Sequence, residues 1–219
     1  MDQVLPAVVR DSKTLMSVPL KILFGEKAEI FLNFKDRAFQ MSDKEFAQVY
    51  EDISDCLLQG ETDLNNECID KIITSISGSN VLEAGCGRGF LADKLSQKYS
   101  VTACDIVIEG GLSRKYQKIK FVEANIEDLP FKTGEFDTVV CTHTLEHVRN
   151  IQKALQELRR VAKKRLIIVV PKQRPYRYTF NLHLHFFPYR WSLFAILGHR
   201  SNSRLEDLGD WFYYENLNA

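Results

Sequence analysis

Three sets of residues in this chain have types and spacing that suit chemistry. Glu83 closes the apolar run Asn80-Val81-Leu82, and Gly85, Gly87 and Gly89 follow as a G-x-G-x-G turn leading into Leu91-Ala92-Asp93-Lys94-Leu95. A strand, a glycine turn and a helix start form the arrangement in which backbone amides approach a nucleotide-like ligand. A pyrophosphate site prefers G-x-G-x-x-G. Here the spacing differs, and Glu83 would repel a pyrophosphate but welcome a cation. Asp105 ends a second apolar run, 22 positions after Glu83, where a carboxylate can accept from both hydroxyls of a ribose. The third set, His143, Glu146 and His147, follows the run Thr138-Val139-Val140-Cys141. An imidazole there is a candidate general base, since its ordinary pKa lies near neutrality.

These residues need a scaffold, and the apolar patterning supplies one. Strands are predicted at Val81–Glu83, Tyr99–Ile106, Ile119–Glu123, Glu135–Cys141 and Arg165–Pro171. The last is apolar on both faces, as in a buried parallel sheet. His143 and His147 are four apart, which puts them on one face of a helix expected after the fourth strand. Ser201–Glu206 and Trp211–Asn216 are candidates for a closing antiparallel hairpin, and Lys163-Lys164-Arg165 stands where a glycine turn is usual before the fifth strand. Towards the N-terminus, Ser42-Asp43-Lys44-Glu45 has the form of a capping box. Phe46, Val49, Tyr50, Ile53 and Leu57 then recur at helical spacing up to Gly60. A second helix is predicted over Asp63–Ser77, and Phe31, Phe34, Phe39 and Met41 are either core or lid.

The segments VLEAGCGRGF, VTACDI, FVEANIEDLPF, FDTVVCTHTLEHV and LQELRRVAKKRLIIVVP, spanning residues 80–171 in order, resemble the class I S-adenosylmethionine (SAM)-dependent methyltransferases. The likeness is strongest to the small-molecule branch that includes ubiquinone-biosynthesis methyltransferases. HLHFFPYRWSLFAILG is a fainter echo. The resemblance implies a Rossmann-like three-layer α/β sandwich. Its seven-stranded sheet is mostly parallel, with the last strand antiparallel. A helical cap or lid over residues 1–77 belongs to the same domain as the SAM-binding core at 78–219.

The resemblance also implies the cofactor SAM, with S-adenosylhomocysteine as product. It places Glu83 near the methionine moiety, Gly85, Cys86 and Gly87 against the ligand, and Asp105 on the ribose. Ile106 would pack on adenine, with Asn125, Ile126 and Thr142 completing the set. Asn125 departs from the Asp common in the family; its amide oxygen can still accept from the adenine amino group. His143 and His147 would face the transferring methyl, with Glu146 orienting a histidine or holding an acceptor amine. Glu146, His147 and one of His183 or His185 are similar to the metal-binding set of plant small-RNA 2′-O-methyltransferases and some ubiquinone-pathway enzymes. The distance to His185 in sequence is too long to be diagnostic, and no metal ligand is assigned.

Composition narrows the classes. Net charge is zero over 219 residues, so no global preference for nucleic acid or membrane is implied. Charge is nonetheless uneven. Asp43–Asp70 holds nine acids and one base, and Arg149–Arg200 holds twelve bases and one acid. The basic half, interleaved with Tyr176, Tyr178, Phe186, Phe187 and Tyr189, either faces the acidic cap or receives an anionic or phosphorylated substrate; RNA is the minority reading, and the acceptor is expected to be a small molecule, anionic or phenolic. Cysteines 56, 68, 86, 104 and 141 are scattered without a C-x-x-C pair, as in a reduced, cytoplasmic protein. No apolar run approaches the ~18 residues of a membrane span, and no signal peptide is evident. The absence of Asn-Pro-Pro-Tyr or Asp-Pro-Pro-Tyr after the fourth strand disfavours methylation of exocyclic base amines. O- or N-methylation of a small metabolite is the expected activity. The rivals are an RNA or protein methyltransferase, a non-catalytic SAM-binding relative and, least favoured, a nicotinamide dehydrogenase. Acceptor and oligomeric state stay open.

Overall fold

The computed structural model describes residues 6–54, 62–178 and 180–217. Leu57, Gly60 and Cys56 lie outside them. The chain order is α1 (Ala7–Arg10), α2 (Lys13–Phe24), α3 (Ala28–Arg37), α4 (Asp43–Ile53), α5 (Asn66–Ser75), β1 (Asn80–Ala84), α6 (Phe90–Ser96), β2 (Ser100–Asp105), α7 (Leu112–Lys115), β3 (Ile119–Glu123), β4 (Phe136–Thr142), α8 (Ile151–Val161), β5 (Ala162–Val170), α9 (Arg190–Leu197), β6 (Ser203–Leu208) and β7 (Asp210–Asn216). The seven strands lie in the order β3-β2-β1-β4-β5-β7-β6. The first five are parallel, and β7 runs antiparallel between β5 and β6. This is the Rossmann-like α/β sandwich expected, with the hairpin in place.

Period-two alternation builds both faces of the sheet. Leu82, Val139, Leu166 and Ile168 point to one core with Leu155 and Leu158 of α8. Val81, Val140, Ile167 and Val169 point to the other with Ile69 and Ile72 of α5 and Leu91 of α6. A third apolar cluster joins α2, α3 and α4 to Tyr178 and Leu182. Within residues 1–77, α5 packs on the sheet, whereas α2–α4 gather with the segment before α9 in a cluster of their own. Phe31 and Phe34 are buried in it, whereas Phe39 is exposed. The expected capping box forms, with Glu45 N donating to Ser42 Oγ and Ser42 N donating to Glu45 Oε2.

Two expectations need correction. The fifth strand begins at Ala162, so Lys163 and Lys164 are strand residues; α8 runs into β5 directly, with Ala162 N still bonded to Leu158 O. More consequentially, residues 143–150 are not helical. His143 has φ +47, the only positive value at a non-glycine residue among those described, and its N–H is committed to Val169 O at 2.9 Å. The chain turns through Leu145–His147, and α8 starts only at Ile151, capped by the Asn150 side chain.

Candidate active site

The order reverses at β1, with β2 and β3 on one side and β4 and β5 on the other. In open α/β sheets the crevice at the carboxyl ends of such strands is where ligands bind. A cavity of about 270 Å³ lies there, lined by all the expected positions except Glu146: Glu83, Gly85, Cys86, Gly87, Asp105, Ile106, Asn125, Ile126, Thr142, His143 and His147.

The turn after β1 is built by glycines where L side chains are strained. Gly85 has φ +81, and a Cβ there would lie 2.0 Å from Thr144 Oγ1. Gly85 N and Cys86 N both donate to Cys104 O, which fastens the turn to the end of β2. Asp105 accepts from Gly87 N at 2.8 Å and Ile106 N at 2.7 Å. A carboxylate has about four lone-pair sites, so capacity for further donors remains. Glu83 is buried, and its Oε2 has no hydrogen-bond partner. Burial pushes both carboxyls up from their ordinary values, Glu83 far up, against backbone hydrogen bonds that oppose it. A cationic ligand would relieve this cost, so the residues fit the sulfonium and ammonium of SAM. Asn125 Oδ1 is engaged locally by Glu127 N at 2.9 Å. That local bond competes with the adenine contact expected of it.

On the far side of β1, the loop after β4 carries the titratable groups. His143 Nε2 lies 3.2 Å from Asp210 Oδ2 and Nδ1 lies 3.7 Å from Glu146 Oε1. Burial works against its charged form, but the hydrogen bond to Asp210 and the nearby carboxyls outweigh it and hold its pKa above the ordinary value. Asp210 also accepts from Asn65 Nδ2 at 3.3 Å. Burial and the neighbouring His143 pull His147 down to about 4. Its Nδ1 has no hydrogen-bond partner, and its ring meets Tyr50 of α4 edge-on, centroids 6.0 Å apart. Glu146 lies beneath the cavity rather than on its wall: it is fully buried, neither oxygen has a hydrogen-bond partner, and burial raises it to about 7.

Glu146, His147 and His183 each offer one ligand atom within 4.8 Å of the others. His183 Nδ1 is held by Gln173 Oε1 at 2.7 Å, which turns Nε2 towards Glu146, 4.0 Å away. His185 is elsewhere, with Nε2 on Val148 O at 2.8 Å. Two oriented imidazoles and an unpartnered carboxylate suit a divalent metal. Asp210 and Tyr50 were missed in the sequence. Asp210 is 67 residues from His143, and Tyr50 carries no signal beyond its place in the helical spacing of α4. The four described cysteines are buried thiols without disulfides, and burial is the main cause raising each of their pKa values.

Much of the basic half is paired within the chain. Arg159 bonds Glu215 at 2.7 Å, Lys164 bonds Asp137 at 2.9 Å, and Arg149 bonds Asp43 of the cap. No described helix is long and apolar enough to cross a membrane.

Comparison with known proteins agrees with this geometry. The family described as "Methyltransferase domain" matches residues 82–170. A 2-phytyl-1,4-naphtoquinone methyltransferase of Trichormus variabilis is 33% identical over 129 residues, covering 53% of this chain and 56% of that protein. A ubiquinone biosynthesis O-methyltransferase of Rickettsia bellii is 31% identical, covering 48% of each. The chain thus spans about half the length of the curated relatives it matches. Among solved structures, Burkholderia thailandensis 1,6-didemethyltoxoflavin-N1-methyltransferase, with bound 1,6-didemethyltoxoflavin and S-adenosylhomocysteine, has the same fold, with TM-score 0.58 at 19% identity over 82% of this chain and 87% of that one. Residues 82–170 thus match a methyltransferase domain, and the fold that carries them is shared with solved methyltransferases.

Proposed function

We propose that this protein moves a methyl group from SAM to an oxygen or nitrogen of a small acceptor. The observation that carries the reading is the convergence of Glu83, Asp105, His143 and His147 on one cavity at the switch point of the sheet. Glu83 and Gly85–Gly87 would hold the methionine end, Asp105 the ribose, and Ile106, Asn125 and Ile126 the adenine. SAM supplies an electrophilic methyl. The protein's part is then to align the acceptor and take its proton. With Nε2 donating to Asp210, the basic nitrogen of His143 is Nδ1, 3.7 Å from Glu146 Oε1, and an imidazolium formed there would be stabilised by both carboxyls. His147 contributes a neutral imidazole beside the acceptor.

Phe46, Tyr50, Ile53, Leu64 and Leu182 line the cap side of the cavity, which suits a flat, largely apolar ring bearing a phenolic hydroxyl. The quinone-pathway relatives point the same way, towards an acceptor with a lipid tail. The internal pairing of the basic half supports a small molecule over RNA. In this reading α2–α4 act as a lid of the same domain in a reduced, cytoplasmic setting. A second reading concerns the same site: Glu146, His147 and His183 would hold a divalent cation that lowers the pKa of an acceptor hydroxyl, a possibility the unpartnered oxygens of Glu146 favour.

Titration calorimetry with S-adenosylhomocysteine, with NAD as control, tests the cofactor. Micromolar binding of the former alone, lost in Asp105→Ala, is expected. Binding of neither would leave a non-catalytic relative. Methyl transfer to catechol-type and naphthol-type phenols, lowered in His147→Ala without loss of cofactor affinity, tests the acceptor class.

A further inference from the structure

Helix α2 is apolar on the side that packs and on the side that does not. Met16, Leu20 and Phe24 are buried in the cap cluster. Leu15, Val18 and Ile22, at i, i+3 and i+7, form a second stripe that is 51, 60 and 78% exposed. Leu23 borders it, and Val8 of α1 is 80% exposed. Of the eight large apolar residues exposed among the described residues, five fall between positions 8 and 23. A water-facing helix surface ordinarily carries charges of both signs. From Ser12 to Gly25 the only charges are Lys13 and Lys21.

We propose that α2 is an interfacial helix that seats the cap on an anionic phospholipid surface. An apolar stripe bordered by a lysine, here Lys21, on a helix too short to span, is the pattern of a helix lying in the headgroup region; Lys13 is on the α3 side, donating to Asn33 Oδ1. Apolar burial supplies most of the attraction, and Lys21 adds to it at a negatively charged leaflet. A two-fold pairing of two such faces would bury Lys21 of each copy with no acid on α2 to answer it, which favours lipid over a second copy. The zero net charge of the chain does not oppose this, because the cationic apolar face is local. The same apolar cluster that anchors α2 contains Phe46 and Ile53 of α4, which line the cavity. Docking through α2 would therefore bring the acceptor entrance to the phase in which a lipid-tailed ring is dissolved. That last step rests on the acceptor proposed above; membrane docking itself does not.

Flotation of the full chain with phosphatidylcholine vesicles, with and without about a third phosphatidylglycerol, tests it. The wild type is expected to float with the anionic vesicles and to release at high salt. Val18→Asp with Ile22→Asp is expected to lose at least tenfold in partitioning, with S-adenosylhomocysteine affinity unchanged. Lys21→Gln weakens binding to the anionic vesicles only, and Trp191→Asp, at an exposed apolar residue outside α2, leaves binding intact. Should the double variant fail to fold, Ile22→Cys carrying an environment-sensitive fluorophore is expected to shift to the blue when anionic vesicles are added. Absence of flotation and of the fluorophore shift overturns the proposal, as does a dimer in solution that the same substitutions dissociate, or binding that depends on Trp191. Vesicle binding without cofactor binding would instead fault the enzymatic reading and leave this one standing.

Discussion

His143 and Asp210 are brought within 3.2 Å, Nε2 to Oδ2, by two independent constraints. The left-handed backbone of His143, φ +47, aims its ring across the end of the sheet. Asn65, the N-cap of α5, fixes Asp210 from the other side, donating to its Oδ2 and to Leu208 O. A non-glycine residue in that conformation costs of order 1 kcal/mol, and the cost is sustained at the residue that joins the cavity to the buried Glu146 and the partly buried Asp210. If Asp210 sets the tautomer of the base, Asp210→Asn should lower kcat by roughly 10- to 100-fold. Cofactor affinity should hold within about twofold, because Asp210 is remote from the ribose end. Steady-state kinetics beside calorimetry separates the two. An equal fall in both would make Asp210 a structural residue only.

Gly85 is expected to tolerate no side chain. Its φ of +81 strains any L residue, and Thr144 fills the space a Cβ would need. Gly85→Ala should destabilise the fold by about 2–4 kcal/mol and weaken S-adenosylhomocysteine binding, both read from thermal unfolding with and without ligand. Pairing it with Thr144→Ser, which removes one of the clashing carbons but leaves the hydroxyl, should recover only a minor part of the loss.

The acid side of the stability curve should carry the signature of Asp137. Its carboxylate is hydrogen-bonded by Lys164, and by Ser79 N and Asn80 N at the entry to β1, which holds its pKa down at about 2. A folded-state value below the unfolded 3.8 means the stabilisation is complete above that value and fades as pH falls towards 2. Asp137→Asn should be less stable than the wild type near neutrality and should lose less on acidification. Denaturant titrations at a series of pH values would show the two curves converging at low pH. Parallel curves would assign the loss elsewhere.

The sheet was legible in the sequence because its central strands β1, β4 and β5 are largely buried on both faces and read as apolar runs. The glycine turn was legible because its φ values demand glycine. The residues that line the cavity from the glycine turn to Ile126 follow one another along the chain, so order and spacing marked them as one group. The reacting side was less legible, for three reasons. His143 and His147 have helical spacing, but a single left-handed residue and one bond to Val169 cancel the helix. Asp210 reaches the site only through the antiparallel insertion of β7, a topological fact that local patterning does not encode. Between His183 and His185 the choice turns on which imidazole Gln173 holds and which Val148 takes, and two histidines so close together give no spacing signal.

Glu146, His147 and His183 allow a test that does not depend on knowing the acceptor. Each histidine has one ring nitrogen already engaged, His183 by Gln173 and His147 by the Leu182 backbone, so the remaining nitrogens are lone pairs. Both oxygens of the buried Glu146 lack hydrogen-bond partners, and an unpaired buried carboxylate is costly unless a cation or a proton neutralises it. If a cation does so, Zn²⁺ or Mn²⁺ should bind with one-to-one stoichiometry by calorimetry. His183→Ala should abolish that binding. Gln173→Ala, which frees the His183 ring without removing it, should weaken it by roughly 10- to 100-fold. If no cation binds, the proton is the answer. With its pKa raised to about 7, Glu146 is then about half protonated at pH 7 and neutral below it, and its carboxyl stretch in difference infrared spectra against Glu146→Gln should grow as pH falls through that value.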